Sequence, residues 1–144
     1  MTGLGITVDC AAPAALARFW QLALGYQAAP PPQGWSTWAE FLTDHEVPEA
    51  EWDDGAVIQP VTGDGPTVSF LKVPESKVVK NRVHLDLKVS GGRAVDPDVR
   101  ETRIRAKAAD LIAAGAALLD EYRIDGHLDH LTLADPEGNE FCIV

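Results

Sequence analysis

The sequence of 144 residues predicts an α+β fold built from two βαβββ repeats, whose strands form a curved mixed-sheet cleft with the helices on its outer face. Three observations carry this prediction. Short segments alternate apolar and polar residues, as half-buried strands do. Two segments with apolar residues at helical spacing each begin at a proline and end at a glycine. The two halves of the chain present these elements in the same order, which indicates a duplicated supersecondary unit.

The first half predicts a strand, a helix and three further strands. Residues 4–10 alternate as a strand does, and Pro13 opens a helix that ends at Gly25. The apolar stripe of this helix consists of Leu16, Phe19, Trp20, Ala23 and Leu24. Consecutive prolines make 28–34 a loop. The predicted strands that follow are 35–43, 56–61 and 67–73, with an acidic turn over 44–55.

The second half repeats this order. Residues 83–89 alternate without a break, so His84 and Asp86 share the polar face of a strand. Asp96 is a helix N-cap followed by a proline, and Gly115 ends that helix. The remaining predicted strands are 118–124, 127–133 and 140–144.

Composition and charge exclude several classes of partner. The formal net charge of −10 argues against nucleic acid, whose phosphate backbone requires a basic face, and against anionic membrane surfaces. The charge is compatible with a cationic small-molecule ligand, and equally with solubility alone. The sequence contains no apolar run that could span a bilayer, and its first residues do not predict a signal peptide. We therefore expect a cytoplasmic protein in which Cys10 and Cys142 are free, buried thiols.

The chain resembles the vicinal oxygen chelate superfamily, which includes glyoxalase I, extradiol dioxygenases, fosfomycin-resistance enzymes and bleomycin-binding proteins. More narrowly, it is similar to the glyoxalase-like proteins (glyoxalase/bleomycin resistance/dioxygenase family) of actinobacteria. The resemblance is carried by Lys80-Asn81-Arg82, His84-Leu85-Asp86-Leu87 and the segment 135–142. It implies a single glyoxalase-like domain over 1–144, with repeat one over about 1–75 and repeat two over about 81–144. It also implies a homodimer.

The resemblance implies a divalent metal, Zn, Ni, Mn or Fe, held by the first and last strands of each repeat. His84 and Glu140 occupy these positions in repeat two, and Glu140 is also the candidate catalytic base. In repeat one, Gly5 lies opposite His84, and the segment 67–71 has no carboxylate or imidazole. Asp86 or His130 would have to complete the set. The incomplete set favours the absence of a metal.

Five residues are candidate ligand contacts, and each also has a purely structural interpretation. They are Asp9, Trp35, Trp38, Asp86 and His130, with the two tryptophans assigned to a strand that borders the cleft. Cleft aromatics stack on ligands or simply close the core. His84 either binds a metal or only hydrogen-bonds Glu140 or Asp86.

Three functions follow from the resemblance. The first is a glyoxalase-like protein that binds a small molecule and acts as a metal-dependent lyase or isomerase. The alternative is a metal-free binding protein that sequesters a small molecule such as a cationic antibiotic, as bleomycin-resistance proteins do. The third is a metal-free enzyme or a binding partner of unknown role. The missing ligands of repeat one favour the last two.

Overall fold

A computed structural model describes residues 2–144 of the chain, which divides into two compact units. The first unit ends at Ser76 and the second begins at Lys77. Each unit contains a four-stranded mixed sheet and a long helix that packs against strands of that sheet. Within the described residues, no helix is long and apolar enough to cross a membrane. Cys10 and Cys142 are both buried and are not joined in a disulfide bond.

The first unit has the strand order β1-β4-β3-β2, with β1 parallel to β4 and the other pairs antiparallel. Its strands and its long helix are β1 (Gly5–Cys10), α1 (Pro13–Leu24), β2 (Tyr26–Ala28), β3 (Gly55–Pro60) and β4 (Thr67–Lys72). Between β2 and β3 lie a short helix, α2 (Trp38–Asp44), and a 3₁₀ segment (Glu49–Asp54). This intervening stretch lines the pocket described below.

Helix α1 has the ends that the sequence predicts. Pro13 stands in the first turn, and Gly25 ends the helix with a φ of 69°, a left-handed conformation that glycine adopts without strain. The helix packs against β2, β3 and β4. Its buried residues, together with Ile58, Val68 and Phe70 of the sheet, form the core of the first unit. The opposite face of the sheet is therefore free of α1.

The predicted strand at 35–43 is wrong, because Trp38–Asp44 is a helix. Tryptophan is common in strands, but a spacing of three residues puts Trp35 and Trp38 on opposite faces of a strand and fits a helix better. The helix start is set by Thr37, whose side chain accepts a hydrogen bond from the backbone N–H of Glu40 at 3.1 Å. The Glu40 carboxylate in turn accepts from the backbone N–H of Ser36 at 2.9 Å. The second strand of the unit is Tyr26–Ala28 instead, so the βαβββ order is retained.

The second unit has the strand order β5-β8-β7-β6. Its first strand is parallel to its last, β5 to β8, as β1 is to β4 in the first unit. Its elements are β5 (Leu85–Leu87), α3 (Pro97–Ala113), β6 (Ala117–Ile124), β7 (His127–Ala134) and β8 (Glu140–Ile143). The predicted N-cap of α3 is confirmed, since the Asp96 carboxylate accepts from the backbone N–H groups of Asp98 and Val99. The predicted class, α+β with two βαβββ modules, is confirmed.

Strand β5 is shorter than the predicted 83–89. It lies at the end of the strand order, beside β8. Val83, which alternation assigned to the apolar face, is 77% exposed, whereas Leu87 is buried. Because β5 begins at Leu85, His84 immediately precedes the strand and is not part of it.

Candidate functional site

A pocket of about 580 Å³ lies within the first unit. Its floor follows a row of paired residues across three strands, from Thr7 on β1 to Ser69 on β4 and Val57 on β3. These residues alternate with buried neighbours such as Phe70, which places them on the sheet face away from α1. The walls come from the stretch between β2 and β3, and consist of Trp38, Leu42, Glu51 and Trp52. A volume of this size accommodates a small organic molecule.

Both tryptophans of the pocket have their polar atom satisfied by the backbone. The indole Nε1–H of Trp38 donates to the carbonyl of Ala29 at 2.8 Å, and that of Trp52 donates to the carbonyl of Val47 at 3.0 Å. Phe41 packs edge-on against Trp38, with ring centroids 5.7 Å apart. The hydrogen bonds orient the two rings, so their apolar surfaces line the pocket.

Trp35 and Trp38 have different surroundings, and neither lies on the strand to which the sequence analysis assigned it. Trp38 begins α2 and lines the pocket, while the described lining does not include Trp35. Trp35 donates its Nε1–H to Asp44 at 3.2 Å and packs edge-on against Phe41. Asp9 is exposed on the same face of β1 as Thr7. Ligand contacts by Trp35 and Asp9 stay predictions.

In the second unit, His84, Asp86 and Cys142 form a cluster whose potential ligand atoms all lie within 4.8 Å of one another. Asp86 and Cys142 are direct partners across β5 and β8, and His84 precedes Asp86 by two residues. The His84 Nε2 and Asp86 Oδ1 atoms are 3.4 Å apart, and both side chains are about half exposed. Cys142 is buried, and this burial raises the pKa of its thiol.

Glu140 begins β8 but is not a member of this cluster. Its carboxylate is paired with the ammonium group of Lys80, and its backbone N–H donates to the side-chain oxygen of Asn81 at 3.2 Å. The hydrogen bond from Lys80 lowers the pKa of Glu140, and the nearby charges of Lys77 and His84 contribute less. The carboxylate is therefore ionised at neutral pH and already has a cationic partner.

His130 is held on β7 by two neighbours. Its Nδ1 lies 3.0 Å from the Asp129 carboxylate, and its ring stacks on Tyr122 with centroids 5.1 Å apart. The hydrogen bonds from His130 and then Arg93 lower the pKa of Asp129. His130 is half-buried and is not a member of the His84 cluster. Ligand binding by His130 stays a prediction.

The sequence analysis missed Cys142 as a potential metal ligand and Trp52 as a pocket wall. Cys142 was interpreted only as a buried thiol, although alternation along β8 gives it the same face as Glu140. Trp52 lies in an acidic segment that was interpreted as a turn and is partly a 3₁₀ helix. Trp52 reaches the pocket because of the course that the backbone takes over residues 29–54, and no local sequence pattern predicts that course.

The donor chemistry differs between the two units. At the family's metal positions the first unit offers Gly5 and β4, which carries neither a carboxylate nor an imidazole. In the second unit, the imidazole of His84, the carboxylate of Asp86 and the thiol of Cys142 are donors that suit a divalent transition metal. The second unit therefore fits a metal by its residue types, and the equivalent positions of the first do not.

Solved structures with this fold include glyoxalase-like and fosfomycin-resistance proteins. A glyoxalase/bleomycin resistance/dioxygenase family enzyme from Burkholderia phytofirmans PsJN shares 16% identity, with a TM-score of 0.59 over 96% of this chain and 93% of that one. FosX from Listeria monocytogenes, solved with Mn(II) and 1S,2S-dihydroxypropylphosphonic acid, shares 11% identity, with a TM-score of 0.61 over 99% and 89%. A possible glyoxalase from Bacillus cereus shares 11% identity, with a TM-score of 0.58 over 100% and 98%. No curated protein sequence matches the chain.

The duplicated βαβββ architecture puts the chain in the fold class of these glyoxalase and fosfomycin-resistance structures. Within that class, the model of the glyoxalase-like domain matches residues 5–144, so the chain belongs to the glyoxalase-like family.

Proposed function

We propose that this protein binds a small molecule with an apolar, aromatic body in the first-unit pocket, without a metal. The observation that carries the proposal is the wall formed by Trp38 and Trp52 over the strand floor. Aromatic walls bury a flat ligand with little loss of conformational entropy, because their own rings are already oriented. The function is binding or sequestration in the cytoplasm.

A cationic group on the ligand fits the remaining polar feature of the pocket. Glu51 is the one carboxylate in the described lining, where Thr7 and Ser69 supply hydroxyl groups. The net charge of −10 attracts cations over longer distances. A cationic aromatic compound is therefore the favoured ligand class, and cationic glycopeptide antibiotics belong to it.

The test compares two probes of the same shape: a naphthylmethyl trimethylammonium ion and its uncharged neopentyl analogue. Isothermal titration should give the cation the higher affinity, and Trp52→Ala should weaken both probes about tenfold, which is about 1.4 kcal/mol. Glu51→Gln should remove the preference for the cation. Glu49→Gln is the matched control, since Glu49 lies in the same 3₁₀ segment and outside the described lining. Equal binding by wild type and Trp52→Ala would refute the proposal.

A second candidate function is a metal-dependent lyase or isomerase. It is supported by the FosX complex, which contains Mn(II), and by His84 and Glu140, which stand where the resemblance implies metal ligands. A metal there would polarise vicinal oxygens of a substrate, and Glu140 would act as base. The Lys80–Glu140 pair opposes this function, because the base would first have to leave its partner. Metal-dependent isomerisation of a 2-oxoaldehyde hemithioacetal that is lost in both His84→Ala and Glu140→Gln would support it.

The assembly we propose is a homodimer. Strand β6 is exposed along its whole length at the end of its sheet, and it carries exposed Leu118, Leu119, Tyr122 and Ile124. Exposed apolar side chains on an edge strand favour association. Sedimentation velocity of the wild type and of Leu119→Lys tests this assembly; a monomeric wild type would contradict it.

A further inference from the structure

The His84, Asp86 and Cys142 cluster consists of three different donor types brought together by one pair of strands. Asp86 and Cys142 face each other across the parallel pair β5 and β8, so the strand register itself fixes their proximity. His84 is separated from Asp86 by one residue, and its Nε2 lies 3.4 Å from the Asp86 carboxylate. The whole cluster belongs to the second unit.

The spacing of the donors suits a tetrahedral ion. With bonds of about 2.0–2.3 Å, the ligand atoms around Zn²⁺ lie about 3.4–3.6 Å apart. The His84 and Asp86 atoms already have this separation, and the three donors lie within 4.8 Å. Side-chain rotation of the half-exposed His84 and Asp86 is sufficient to close the remaining distance, because neither side chain is fixed in a core.

The donor set also selects the class of metal. A thiolate with an imidazole and one carboxylate suits Zn²⁺, and also Co²⁺ and Cd²⁺, whereas Mg²⁺ and Ca²⁺ require oxygen ligands. The Thr132 hydroxyl lies 3.5 Å from the Cys142 sulfur, where it hydrogen-bonds the ligand atom. Exposure of the other two donors leaves an entry path and a fourth position for water.

We propose that His84, Asp86 and Cys142 form a zinc-type metal site in the second unit, with a cysteine thiolate as its third ligand and without Glu140. Glu140 is excluded because its carboxylate is paired with Lys80. The site does not rest on the proposed ligand pocket, which the first unit contains by itself. The proposal differs from the predicted His84 and Glu140 pair in its ligands and in the metal that they select.

Cobalt titration of the metal-free, full-length protein tests the ligand set directly. A cobalt–thiolate bond gives a charge-transfer absorption in the near ultraviolet, and tetrahedral Co²⁺ gives intense visible bands. We expect both in the wild type, with saturation at one ion per chain, and displacement of Co²⁺ by Zn²⁺. Cys142→Ser should abolish the charge-transfer band. Cys10→Ser is the matched control, since Cys10 is also a buried thiol outside any disulfide but lies in the first unit, and it should keep the band.

Two further variants keep the test decisive. His84→Gln alters a half-exposed side chain, so folding is preserved, and it should weaken Co²⁺ binding at least tenfold. Glu140→Gln should leave the spectrum unchanged. The proposal is overturned if wild type gives no thiolate band, if Cys10→Ser loses it, or if Glu140→Gln abolishes binding. The last result would assign the metal to the predicted pair instead. If the probes do not bind the pocket but the cobalt spectrum is positive, the proposed function is refuted and the metal site stands.

Discussion

Removal of the Asp129 carboxylate should destabilise the second unit through the buried cation that it leaves behind. The carboxylate accepts two hydrogen bonds from Arg93, at 3.1 and 3.3 Å, and lies 3.0 Å from His130. It also lies 3.8 Å from a guanidinium nitrogen of Arg100. The Arg100 side chain is 10% exposed, and its Nε has no hydrogen-bond partner. Asp129→Ala therefore removes the nearest negative charge from a buried guanidinium.

The magnitude follows from the exposure of these groups. Breaking a fully buried ion pair costs about 3–5 kcal/mol, because one charge is left uncompensated. The Arg100 contact is longer than a direct hydrogen bond, and Arg93, the other cation at the carboxylate, is exposed to solvent. We therefore expect Asp129→Ala to lower the free energy of unfolding by about 2 kcal/mol. Urea denaturation followed by far-ultraviolet circular dichroism measures the loss.

The pH dependence gives an independent check. Hydrogen bonds from His130 and Arg93 lower the pKa of Asp129 in the folded state. The stabilisation is therefore present above the pKa of the unfolded chain, about 3.9, and is lost as pH falls through the lower folded value. Asp129→Asn should lack this part of the acid profile. Asp110→Ala, an exposed aspartate of α3, is the control and should change stability by less than about 0.5 kcal/mol. Equal losses in Asp129→Ala and Asp110→Ala would refute the reasoning.

Three further predictions concern other parts of the chain. Thr37→Ala removes the N-cap of α2 at a cost of about 1 kcal/mol, and should speed amide exchange in α2 and weaken probe binding; unchanged exchange would contradict this. Phe70→Ala, at a side chain that is 1% exposed, should cost about 3–5 kcal/mol in urea denaturation; a loss below 1 kcal/mol would show that the site collapses without a cavity. Lys80→Ala should raise the pKa of Glu140 towards its ordinary value in an NMR titration, because the main cause of its lowering is removed; an unchanged pKa would assign the shift elsewhere.

The sequence predicts the elements whose ends are coded locally. Helix α1 begins at Pro13 and ends at Gly25, and helix α3 begins at Asp96 and Pro97. Each of these residues affects only the adjacent turn of its helix, so both helices are predictable from the sequence. The stretch 35–43 also contains a local helix signal, Thr37 with Glu40, but its tryptophans, which favour strands, obscured that signal.

The candidate sites depend on contacts between residues distant in sequence. Cys142 reaches Asp86 only through the register of β5 and β8, which alternation within either strand does not specify. The pocket walls depend on the path of the stretch between β2 and β3, so Trp52 had no signal of its own. The sequence alone therefore does not show which residues the strand pairing and the loops bring together.

The two modules use equivalent positions differently. When β1 is aligned with β5 so that Gly5 corresponds to His84, Thr7 corresponds to Asp86. Thr7 pairs with Ser69 across β1 and β4, and Asp86 pairs with Cys142 across β5 and β8, so Ser69 corresponds to Cys142. In the first unit these positions carry small side chains, which leave room over the sheet, and Thr7 and Ser69 become the pocket floor.

In the second unit the same positions carry an imidazole, a carboxylate and a thiol, whose donor atoms converge. A β-carbon at Gly5 would meet only the Thr67 hydroxyl at 3.8 Å, an ordinary contact, so the backbone does not require glycine there. The absence of a ligand at Gly5 is thus a property of side-chain choice and not of backbone geometry. The same three sheet positions can therefore either leave space for a ligand or supply a set of metal donors. The side chains at those positions decide which.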